Sequence, residues 1–248
     1  MALSTNTIST TIDWCKRLSF NRNPVIGNSL EPALSSANMV KQVILGPPFT
    51  WWWNNEEVTF TCNPSVPTTV GGLTATTTQD YTTATSEFSH IEHASIFDIN
   101  QTPGKWIELE VKNNLALDSN PDRPRFISPH VEDGSGNMTW RVMPAPDIAY
   151  PIAIHIQKAA TLLTGINDLW APIPDFMEYV YNWGFLALIW AFADDPRFQI
   201  ANQKFVASLL ARAEGISDEE RNAFLNAWHN LTGHEQMQSQ QGLQMRGV

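Results

Sequence analysis

Residues 150–190 read YPIAIHIQKAATLLTGINDLWAPIPDFMEYVYNWGFLALIW, and the hydrophobic period changes inside this one stretch. Ile152, Ile154 and Ile156 alternate with Ala153, His155 and Gln157, the period of two that a half-buried strand requires. From Pro174 onward the period is helical, carried by Phe176, Val180, Trp183, Ala187 and Trp190, until Asp194-Asp195-Pro196 closes the helix. Tyr179, Tyr181, Trp183, Phe185 and Trp190 coat more than one face of it. A helix apolar around its circumference is buried on all sides, in a large core or between subunits.

Downstream, Pro196 suits the first turn of a second helix bearing Phe198, Ala201, Phe205, Leu209 and Leu210, which stops at Gly215. Ser217 and Glu220 stand at capping-box spacing and start a third helix with Ala223, Phe224, Trp228 and Leu231. Residues 233–248 are rich in Gln, Gly and Met and are expected to form a flexible tail. Upstream, strand patterns fall at 58–62, 79–84, 90–97, 106–112, 125–131, 138–143 and 150–157. Glu132-Asp133-Gly134-Ser135-Gly136-Asn137 is the clearest hairpin turn, while 68–85 is almost all Thr, Gly and Ala and reads as a loop or edge hairpin.

The N-terminus is helical again. Ile8, Ile12, Cys15 and Leu18 form one stripe, and Leu30, Leu34, Ala37, Val40, Val43 and Ile44 form a stronger one. Ser29 is placed to cap the second helix, with Glu31 and Pro32 in its first turn, and Gly46-Pro47-Pro48 stops it. The expected class is α+β: a helical layer from the N-terminal and C-terminal helices, with a mainly antiparallel β region inserted. The expected division is 1–50 for the N-terminal helices, 51–165 for the β region, 166–232 for the C-terminal helices, and the tail.

A chain of 248 residues buries a sizeable core without disulfide or metal staples. Its 43% hydrophobic content sits with only 16% charged residues, below the roughly 25% of an average globular protein. With ten tryptophans, so few charges point to surfaces that something covers. The net charge of −10 argues against wrapping nucleic acid, though it suits a conduit along which DNA slides without sticking. Cys15 and Cys62 read as reduced thiols packed as small hydrophobes, a single disulfide being the other option. The polar N-terminus is no signal peptide, and 180–193 is too short for the roughly 20 residues of a membrane span. A soluble chain made in the cytoplasm is expected.

Candidate chemistry is thin. His90-Ile91-Glu92-His93 resembles a metal site, but in a strand His93 points away from His90 and Glu92. Gly134-Ser135-Gly136 beside Glu132 and Asp133 suits calcium less well than a tight hairpin. Asp194-Asp195 reads as a helix cap rather than an acid/base pair. No nucleophile elbow, phosphate-binding loop or zincin motif is present. The expectation is therefore no enzyme, with no catalytic, metal or cofactor-binding residues.

Trp51-Trp52-Trp53 is the most unusual local feature. Three consecutive indoles diverge in helix and strand alike, so at least one meets a neighbouring element or another subunit. Packing at the junction between the helical layer and the β region, an interface with another subunit and a carbohydrate-stacking platform are the readings of this cluster. The expected interface residues are Trp51, Trp52, Trp53, Tyr179, Trp183, Trp190, Phe198 and Trp228.

The order of elements, with a second helix leading into Trp51-Trp52-Trp53-Asn54, resembles the head-to-tail adaptor (connector or neck) proteins of tailed bacteriophages. The tubular tail proteins A of short-tailed phages are the nearest group. Arg141-Val142-Met143-Pro144-Ala145-Pro146-Asp147 before Tyr150-Pro151-Ile152-Ala153-Ile154 is similar to the end of the β region in that family. Ile173-Pro174-Asp175, Trp183-Gly184-Phe185-Leu186-Ala187 and Asp194-Asp195-Pro196-Arg197-Phe198-Gln199 resemble its C-terminal helices. The likeness covers most of the chain in layout.

The resemblance implies a structural virion protein in a homo-oligomeric ring of about twelve copies. That ring would dock beneath the portal protein, with the helical layer toward the portal and the β region toward the tail tube or nozzle protein. DNA would pass through its channel without specific binding, no membrane being involved. The chain would be assembled in the host cytoplasm and reside in the neck or tail of the virion. The tail 233–248 would order itself on the portal. A different class of function is a β-rich tail component binding host-surface glycan, with the tryptophans and the Thr-rich segment as its recognition surface. A tail hydrolase is disfavoured, since no nucleophile or carboxylate set converges.

Overall fold

The computed structural model describes residues 4–18, 31–64, 67–70, 73–76, 79–85, 87–116, 121–133, 135–213 and 215–232. The fold class is α+β, as expected. Two compact units divide the chain: Met1–Trp51 together with Ala160–Val248, and the inserted Trp52–Ala159.

The helical unit is built around its most apolar helix. Five helices are described: α1 (Ile8–Leu18), α2 (Ala33–Leu45), α3 (Glu178–Phe192), α4 (Phe198–Leu210) and α5 (Asp218–Thr232). Every residue of α3 from Val180 to Trp190 is buried, because α1, α2 and α4 all pack against it. Of the two readings of an all-round apolar helix, the chain's own core is thus already sufficient. Gly184 is where α3 approaches its neighbours most closely. A β-carbon there would stand 2.8 Å from Cδ2 of Phe205 and 3.0 Å from Cγ1 of Val40.

The N-terminal and C-terminal parts of this unit are stitched by polar contacts. Trp170 stacks on Tyr181 at 4.5 Å and donates its indole N–H to Oγ1 of Thr11. Asn38 exchanges two hydrogen bonds with the backbone of Leu163, and the buried Lys41 donates from Nζ to the carbonyl of Thr161. Asp175 accepts from the backbone N–H and hydroxyl of Thr5 and the hydroxyl of Ser4, which holds its carboxyl below the ordinary range. Asp175–Met177 is a 3-10 turn, so α3 proper begins one turn later than its Pro174 signal suggested.

Helix α2 also begins later than read, at Ala33. Glu31 accepts from the N–H and hydroxyl of Ser35, bonding a first-turn amide that the helix itself leaves free. The Ser29 cap expected there lies outside the described residues, as does the tail 233–248.

The β unit is a sandwich. One sheet has the order β1 (Asn55–Cys62), β10 (Tyr150–Lys158), β5 (Phe88–Asp98), β6 (Lys105–Glu108). The other has the order β4 (Asp80–Ala84), β9 (Asn137–Met143), β8 (Phe126–Glu132), β7 (Glu110–Val111). All pairings within these sheets are antiparallel except β7 with β8. A hairpin of β2 (Pro67–Val70) and β3 (Leu73–Thr76) accompanies them. The Thr-rich segment therefore yields this hairpin and β4.

Alternation decides the sandwich core. Val58, Ala94, Ile96, Ile127, Met138, Trp140, Val142, Ile152, Ile154 and Ile156 come from both sheets and pack together. Trp140 satisfies its indole N–H on the hydroxyl of Thr83 at 2.7 Å. The strand read at 106–112 is in fact two. Leu109 is buried and bonds Ala94 of the first sheet, whereas Glu110 bonds Arg125 beside the second. One continuous apolar pattern thus crosses between sheets, which periodicity within a single strand does not register.

Candidate functional site

Near the start of α3 an aromatic cluster is centred on the buried Trp183. Its ring meets Trp14 of α1 edge-on at 5.1 Å between centroids and Tyr179 at 5.9 Å. Nζ of Lys204 on α4 lies 4.2 Å from the Trp183 centroid, close enough for cation–π attraction. Trp183 itself is only 8% exposed, while Tyr179 beside it and Phe176 in the preceding turn are 48% and 51% exposed. The carbonyl of Phe176 is tied to Arg212 after α4. The indole N–H of Trp183 has no hydrogen-bond partner, and neither has that of Trp190. These groups offer half-exposed rings and two cations to an incoming protein surface, the chemistry enriched at interface centres, while the two unbonded indole N–H groups are buried.

The eight residues singled out in the sequence separate. Trp51 is buried, stacks on Phe49 and donates to the carbonyl of Ile44. Trp52 is 66% exposed and Trp53 half-buried, so the three indoles diverge as argued. Trp190 is buried under the guanidinium of Arg197, which Asp195 holds through paired bonds. Phe198 is buried in α4, and Trp228 is buried against Phe205. Tyr179 and Trp183 come together in the patch. Trp14 and Lys204 belong to it as well. Tyr179 and Trp183 sit at helical spacing and were legible, but nothing in the sequence brings Trp14 or Lys204 to them.

The acidic and histidine clusters resolve into structural roles. Glu92 is a bulge residue, since His93 pairs His155 and Ile91 pairs Ile156, and its carboxylate accepts from Asn55 and Gln157. His93 lies 6.2 Å from His155 between ring centroids and 3.8 Å from Glu108. His90 is packed against Ser89, and burial pushes it toward its neutral form despite Glu92. Asp133 accepts from the backbone of Ser135 and Asn137 and from the Asn137 amide, so the turn's own donors occupy it. Those bonds hold its carboxyl below the ordinary range. Gly134 lies outside the described residues. Asp195 caps the start of α4 through the N–H of Arg197. Among the described residues no three His, Cys, Asp or Glu side chains are grouped to hold a metal ion.

Both cysteines are free and buried. Burial pushes the Cys62 thiol up to about 11 and Cys15 further still. Among the described residues no helix is long and apolar enough to cross a membrane. No protein-family model matches the chain, and no curated protein matches it significantly.

Proposed function

We propose that this chain is a non-enzymatic structural subunit, an adaptor ring that joins the portal to the tail of a tailed bacteriophage and lines its DNA channel. The patch around Trp183 carries the reading. Tyr179 stands half in water edge-on to the buried Trp183, and Phe176 in the preceding turn is half exposed, an arrangement that favours a covering partner over solvent. The net charge of −10 suits a channel lining from which DNA is repelled. The order of elements adds the resemblance to head-to-tail adaptors, and with it the ring of about twelve copies expected of a closed heterologous interface. On this account the helical unit meets the portal, the β unit meets the tail tube or nozzle, and the protein resides in the virion neck.

Co-sedimentation with assembled portal from the same source tests this. Wild-type chain should travel with the portal and Tyr179→Glu chain should not. Failure of folded wild-type chain to travel with it would sink the reading.

A second reading has one observation in its favour. Trp106 is 49% exposed on β6 with Phe97 edge-on at 5.3 Å behind it, and Trp52 is also open, so the β unit presents indole faces on which a sugar ring stacks. Glycan binding lost on Trp106→Ala would support a host-surface role.

A further inference from the structure

Helix α5 is held differently from its neighbours. Eleven residues are buried in α3, seven in α2 and five in α4, but only Phe224 and Trp228 in α5, so two side chains anchor the whole helix. They stand four residues apart on one face. Phe224 meets Phe49 edge-on at 4.9 Å, and Trp228 lies 4.8 Å from Phe205 and donates to Oδ1 of Asn202. The first turn and a half, from Asp218 to Ala223, faces water.

Clefts flank α5 on both sides. A groove of about 680 Å³ runs between α4 and α5, lined by Val206, Leu210, Ile216 and Leu225. Another of about 380 Å³ runs between α2 and α5, lined by Met39, Val43, Pro47 and Leu231. Meanwhile α5 is secured locally. The hydroxyl of Ser217 accepts from the N–H of Glu220, whose carboxylate accepts from the N–H and hydroxyl of Ser217. Gly215 precedes it at φ +74°, with nothing within 4 Å of where a β-carbon would stand, so the chain has room to turn there.

We propose that α5 is an exchangeable docking helix, and that the groove formed by Phe49, Asn202 and Phe205 accepts the α5 of a second copy of this chain. The occupant is defined by what already fills the site: the groove fits Phe224 and Trp228, and every copy carries that pair. A helix that keeps its cap and relies on two anchors moves as a unit without unfolding the core beneath. Repeated from subunit to subunit, the exchange is a head-to-tail contact that closes into a ring. The role in a ring rests on the adaptor reading, whereas the exchange itself does not.

The test uses the full chain and a labelled synthetic peptide of residues 216–232, followed by fluorescence anisotropy. The peptide should bind saturably, and a Trp228→Ala peptide should not. A full chain carrying Trp228→Ala should bind the wild-type peptide about tenfold more tightly, because its own competing helix is weakened. Absence of peptide binding to both chains, or equal binding of the wild-type and Trp228→Ala peptides, overturns the proposal. Hydrogen exchange on the unsubstituted chain covers the case in which the variant does not fold. Amides of α5 should exchange by local opening, well ahead of α3 and α4, and equal protection across the three helices overturns it too. Neither measurement involves the portal, so a failure here is distinguishable from a failure of the adaptor reading.

Discussion

Gly184 and Phe205 are fitted so closely that a β-carbon on the glycine would stand 2.7 Å from Cε2 of the ring. Phe205 is fully buried and Val40 closes the other side, so neither neighbour yields cheaply. The close approach of α3 to α4 and α2 follows from this one missing side chain.

Gly184→Ala pits two effects against each other. Alanine gains about 1 kcal/mol in helix propensity. Overpacking a rigid core costs about 1–3 kcal/mol. The packing cost wins here because the nearest atoms belong to a buried ring, and a net loss of about 1 kcal/mol is expected. Urea denaturation measures it, and a stabilised variant would refute the packing argument.

The β unit has a pH-dependent tie. Arg141 grips Asp80 through Nε to Oδ1 at 2.7 Å and Nη2 to Oδ2 at 2.8 Å, joining β4 to β9. The bond from Arg141 holds the Asp80 carboxyl below its ordinary value of 3.8. A carboxyl depressed by folding stabilises at pH above that value, and the contribution is lost as pH falls through the folded pKa. Asp80→Asn should therefore cost about 0.5–1 kcal/mol at pH 7, the range of a half-exposed pair, and nothing measurable once wild-type Asp80 is protonated. Thermal unfolding of both chains from pH 7 downward reads the convergence.

Thiol reactivity reports the core of each unit separately. Cys15 lies in α1 and Cys62 in β1, both buried and both with raised pKa. Neither should react with an aromatic disulfide reagent at pH 8 until denaturant is added, when both should. Rapid labelling of one under native conditions would place a local opening in its unit.

The capping box can be weakened without touching the anchors of α5. Ser217→Ala removes the hydroxyl that accepts from Glu220 N–H, and α5 amides should exchange roughly fivefold faster. Exchange in α3 should be unchanged. Equal acceleration in both helices would mean that α5 is integral to the core.

Tyr179 is the place to separate interface from core. It is 48% exposed, so Tyr179→Glu should leave the melting temperature nearly unchanged while abolishing the co-sedimentation with portal that the adaptor proposal expects. A variant that melts far lower would show the ring to be a core element instead.

Much of this fold is legible in the residues. Ile152, Ile154 and Ile156 alternate because one face of β10 meets the sandwich core, and Ser217 with Glu220 marks the start of α5 because both groups bond there. What periodicity misses is what two elements decide together. Leu109 ends a run that continues as β7 in another sheet. The patch was half visible for the same reason: Tyr179 and Trp183 share a face of α3, but Trp14 and Lys204 reach it only through tertiary packing.

The most direct measurement is the native mass of the purified chain, alone and mixed with the portal from the same source. The adaptor account predicts a portal complex carrying a closed ring of about twelve chains. A chain that stays monomeric or trimeric and leaves the portal's mass unchanged would contradict it.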